Sequence, residues 1–154
     1  MLAHPHILAQ YNAWANQRLH SICAELSAEQ VAEDRGAFFG SILGTLNHLL
    51  LVDILYRERI EGIDSTFTGL NEILHTDLAA LSAHHAEEDA RWIALTKDVD
   101  VDHLNEPFVF WTFEQPTCQM ALRLNVAGLG GLLEPANGCH GVHRHAMPIP
   151  IGLA

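Results

Sequence analysis

Apolar residues return every three or four positions over several stretches of the chain, the spacing of one face of an α-helix. In the first stretch, residues 6–26, the apolar positions are Ile7, Leu8, Tyr11, Trp14, Ala15, Leu19, Ile22 and Leu26. On this pattern Tyr11 and Trp14 belong to the core, and Asn12, Asn16, Gln17 and Arg18 fall elsewhere. Pro5 suits a first helical turn, where its missing N–H has no intrahelical partner. Ser27 with Gln30 three residues on has the spacing of a capping box for a short helical turn. Glycines flank the Phe38–Phe39 pair and break the period, which predicts a loop that packs both rings inward.

Ser41 reads as the N-cap of a second helix that carries Ile42, Leu43, Leu46, Leu49, Leu50, Ile54 and Leu55, with Gly62 as its stop. A third helix is predicted over residues 70–97 with the stripe Leu74, Leu78, Leu81, His85, Glu88, Trp92 and Leu95. Residues 108–113 are rich in β formers and predict a short strand or arm. A fourth helix is expected over residues 117–133, although Gly128, Gly130 and Gly131 each cost about 1 kcal/mol relative to alanine in a helix interior. The glycines and prolines of residues 134–154 predict an irregular tail. Together these elements predict an all-α fold: an antiparallel four-helix bundle with a short β-like arm, one domain spanning residues 1–154.

Composition narrows the function. A formal charge of −11, from 8 Lys+Arg against 19 Asp+Glu, disfavours adhesion to nucleic acid or to an anionic membrane. No apolar run approaches the roughly 20 residues that span a bilayer and no basic leader precedes one, so the expected location is the cytoplasm. Three cysteines without a CxxC spacing predict neither a disulfide framework nor a zinc-thiolate site. Eleven histidines carry more information.

His48 lies in the most apolar part of the second helix, where it is either a metal ligand or a core histidine satisfied by a carbonyl or carboxylate. His140, His143 and His145 form a short histidine-rich tract, read either as a metal-binding segment or as a solvated tail. His85 and Glu88 interrupt the apolar stripe of the third helix and are candidate catalytic groups or a local ion pair. Asp53 lies five residues after His48, about 140° round the helix. It cannot share a metal with His48, and to support a ligand it would have to reach a histidine on another helix.

Three segments together resemble the DinB-like family of metal-binding four-helix bundles: residues 11–19 (YNAWANQRL), 35–42 (RGAFFGSI) and 44–50 (GTLNHLL). With Glu72-Ile73-Leu74-His75 and Phe108-Val109-Phe110 the likeness covers about residues 6–115. The resemblance implies one divalent metal, commonly nickel or zinc, held by three histidines, the first of which matches His48. It also implies a small-molecule substrate such as a low-molecular-weight thiol, a hydrolase or thiol-dependent transferase activity, and homodimers. The family's other two ligands come from an HxxxH pair on the last helix, which by distance falls near residues 124–130, where this chain has no histidine. His140 and His143, or His145 in place of His143, are the nearest substitutes. The expected metal set is therefore His48, His140 and His143; the alternative is a non-catalytic or dimerising bundle with an incomplete site.

Overall fold

A computed structural model describes residues 4–99, 107–110 and 118–121. Its elements are α1 (Pro5–Cys23), α2 (Ala28–Ala32), α3 (Ile42–Glu61), α4 (Leu78–Thr96), β1 (Pro107–Phe110) and β2 (Cys118–Ala121). The architecture is an all-α bundle in which α4 packs against α1 and α3, and α2 packs against α3. One apolar cluster joins Cys23, Leu46, Leu50, Ile54 and Leu81, and a second joins Ala9, Tyr56 and Trp92.

The helix ends follow local chemistry. The Ser41 side chain accepts from the Gly44 N–H, and Gly62 ends α3 in the left-handed conformation at φ 69°. Ser27 and Gln30 exchange both bonds of a capping box before α2. Gly44 has a steric role: a Cβ there would lie 2.1 Å from the Phe39 carbonyl oxygen, so only glycine lets the 38–40 loop press onto α3.

Three expectations need correction. The helix predicted from residue 70 starts at Leu78, behind the Asp77 cap. Side chains satisfy the preceding backbone instead: Glu72 accepts from the N–H groups of Thr68 and Gly69, and Asn47 from those of Leu74 and His75. Residues 118–121 form a strand where the fourth predicted helix was to begin, pairing antiparallel with β1 from Pro107↔Ala121 to Phe110↔Cys118. A lone strand such as the predicted arm has no ladder partner, and this segment supplies one. The remainder of that predicted helix, and the irregular tail, lie outside the described residues.

The third correction concerns α1, whose buried residues are Pro5, Ala9, Asn16, His20 and Cys23. Tyr11 and Trp14, expected in the core, are 62% and 52% exposed, and Phe38 is also exposed. The polar face of α1 turns inward because α3 and α4 present Asp53, Asp89 and His85 to it.

Candidate metal centres

His48 is half-buried on α3, and its Nδ1 lies 2.8 Å from the Leu70 carbonyl oxygen. A carbonyl can only accept, so Nδ1 carries the proton. Burial pushes the imidazole below its ordinary pKa, against the opposing pull of the Leu70 bond, and so favours the neutral ring. In that tautomer Nε2 holds a free lone pair, which is the state a metal-binding histidine requires. The ring stacks on Phe39 with centroids 3.8 Å apart, which fixes its plane. Beside it, Phe38, Phe39, Gly44, Asn71 and Ile73 line a cleft of about 190 Å³. The expected partner ligands His140, His143 and His145 lie outside the described residues.

Asn47, next to His48, is fully buried and completely paired. Its amide nitrogen donates to the carbonyls of Leu43 and His75, and its oxygen accepts from the N–H groups of Leu74 and His75. Two consecutive residues of α3 thus tether the loop leading to α4.

Five residues past His48, on a different side of α3, lies a second constellation. Asp53, His85 and Asp89 are all buried, and one ligand atom from each lies within 4.8 Å of the others. His85 Nε2 is 3.4 Å from Asp53 Oδ2, so Asp53 does reach a histidine on another helix. The Asn12 amide donates to Asp53 at 3.1 Å and to Asp89 at 3.4 Å, and Asn16 donates to Asp89 at 2.9 Å. Behind His85, His20 Nε2 lies 3.0 Å from His85 Nδ1. Burial, assisted by the neighbouring His85, pushes His20 down to about 4.

Asp89 is pushed up to about 6, first by burial and then by the Asp53 charge, against the hydrogen bonds of the two asparagines and the His85 ring. A carboxyl that holds its proton more tightly when folded stabilises the fold fully below its unfolded pKa, near 3.8, and loses that contribution as pH rises through about 6. Asp89→Asn keeps the acceptor for Asn16 and removes the charge. Metal-free Asp89→Asn protein is therefore expected to melt above the parent at pH 7.5, with the gap closing as pH falls toward 4. Parallel thermal melts across that range provide the check, and a gap that is constant with pH would contradict it.

The catalytic candidates of α4 are both sequestered. Glu88 is fully buried, both of its oxygens meet the Arg57 guanidinium, and Arg91 lies 3.3 Å away. His85 is committed to His20 and Asp53. Asn12, Asn16 and His20 were not picked out by sequence reasoning, because their partners lie up to 77 residues away.

Fold and site define a helical bundle with a buried Asp/His/Asp donor set suited to a metal ion. The chain belongs to the DinB family, whose model matches residues 1–120. No curated protein and no solved structure matched the chain. Among the described residues no helix is long and apolar enough to cross a membrane.

Proposed function

We propose that the chain is a metal-dependent DinB enzyme, a hydrolase or thiol-dependent transferase. In this reading His48, His140 and His143, or His145 in place of His143, hold Ni2+ or Zn2+. The observation that carries the reading is the His48 ring itself: the Leu70 carbonyl fixes its tautomer, Phe39 fixes its plane, and Nε2 is left free as a donor. With three histidine ligands and an open position, the metal would lower the pKa of a bound water toward about 7 or bind a thiol as thiolate. The cleft lined by Phe38, Phe39, Gly44, Asn71 and Ile73 presents both apolar side chains and polar groups to a small-molecule substrate such as a low-molecular-weight thiol. The proposed setting is the cytoplasm, with the protein as a homodimer.

Elemental analysis of the purified full chain tests this reading. His48→Ala is expected to lower bound nickel or zinc by one equivalent and to abolish activity on thiol substrates. Unchanged metal content in a folded His48→Ala protein would sink it. A second reading, a non-catalytic dimerising bundle, is favoured by the exposed row of Ile7, Tyr11, Trp14 and Ile22 on α1.

A further inference from the structure

We propose that Asp53, His85 and Asp89 form a second divalent-cation site, inside the bundle and separate from the one assigned to His48. The site would take a first-row ion of the Mn2+, Fe2+ or Zn2+ class. The proposal does not depend on the His48 reading. His48 and Asp53 point about 140° apart on one helix, so no single ion can use both.

Three observations support the site. The donors come from two helices, are buried, and lie within 4.8 Å of one another, so small side-chain rotations would bring them to the roughly 2.0–2.2 Å of metal bonds. Two carboxylates face each other away from water, and their hydrogen-bond partners are the neutral amides of Asn12 and Asn16 together with the His85 ring. Buried charge of this kind is normally paired or bound to a metal. The third observation is the support behind the donors: His20 sits at His85 Nδ1, while Asn16 and Asn12 hold Asp89 and Asp53. Metal ligands are oriented in this way by outer partners. Two oxygens and one imidazole nitrogen are a harder set than three histidines, which is why manganese and iron enter the class beside zinc.

Cobalt(II) is the probe, because its visible absorption bands report protein ligation directly. Full-length protein carrying His48→Ala, His140→Ala, His143→Ala and His145→Ala is stripped with a chelator and titrated with Co2+. One equivalent is expected to bind with ligand-field bands. Adding Asp53→Asn or Asp89→Asn should weaken binding at least about tenfold, and Asn16→Ala about tenfold, the scale seen when supporting partners of metal ligands are removed. The otherwise unaltered chain gives an independent reading: Asp53→Asn/Asp89→Asn should lower cobalt stoichiometry by one while leaving the equivalent that depends on His48. A folded four-alanine protein that binds no Co2+, or an aspartate double variant with unchanged stoichiometry, would overturn the proposal. Loss of metal on His48→Ala alone bears only on the other site.

Discussion

Glu88→Ala is expected to lower stability by about 3–5 kcal/mol, because it leaves the Arg57 guanidinium buried without its main partner. Arg57 grips Glu88 through both Nε and the terminal nitrogen, and both side chains lie almost entirely out of water. Glu61 and Arg91 extend the network but sit nearer the surface. The desolvation of two charges largely offsets their attraction, so removing both should cost much less than removing one. Arg57→Leu/Glu88→Leu is accordingly expected to recover most of the loss. Urea unfolding followed by circular dichroism measures both variants. A single variant within about 1 kcal/mol of the parent would show that Glu88 is not the counterion described here.

The second large effect is expected at Asn47. Asn47→Ala removes four hydrogen bonds at once and strands two N–H groups and the His75 carbonyl, at about 1–3 kcal/mol for each group that stays out of water, while the Leu43 carbonyl keeps its helical partner. A total loss of about 3 kcal/mol or more is expected, with faster amide exchange at Leu74 and His75. Asn47→Asp separates donor from acceptor loss: it keeps the oxygen for the two N–H groups but turns a second oxygen toward the carbonyls of Leu43 and His75. It should therefore be at least as damaging at neutral pH. Near-parental melting of both variants would mean that the loop leading to α4 does not depend on this residue.

Much of the fold was legible locally. Ser41 and Gly62 bracket α3 where cap chemistry places them, and the Ser27–Gln30 box forms as its spacing predicts. The start of α4 was not legible, because its apolar period runs back to Leu74 while the backbone there is satisfied by Asn47 and Glu72. Periodicity registers side chains and is blind to backbone groups that find side-chain partners. The face of α1 was misread for a related reason. Its apolar row outweighs Asn12, Asn16 and His20 in any hydrophobic count, yet those three have partners on α3 and α4.

The site divides in the same manner. His48 is singled out by family resemblance, and the structure adds the tautomer and the stacked ring. The angular argument on α3 anticipated that Asp53 must look to another helix, but not that Asp89 would join it there. Sequence spacing cannot connect residues 53 and 89 without the packing of α3 on α4.

The inward polar face of α1 also determines how that helix can dock. A greasy helix can slide by a turn along its groove and still bury comparable area, because apolar attraction has no direction. Asn16 and His20 each have a single counterpart, on Asp89 and on His85. A slip of one turn would leave both side chains buried and unmatched, at the cost such groups carry. These contacts therefore act as detents that lock α1 at one height along the bundle, much as a single buried polar residue sets the alignment of a coiled coil.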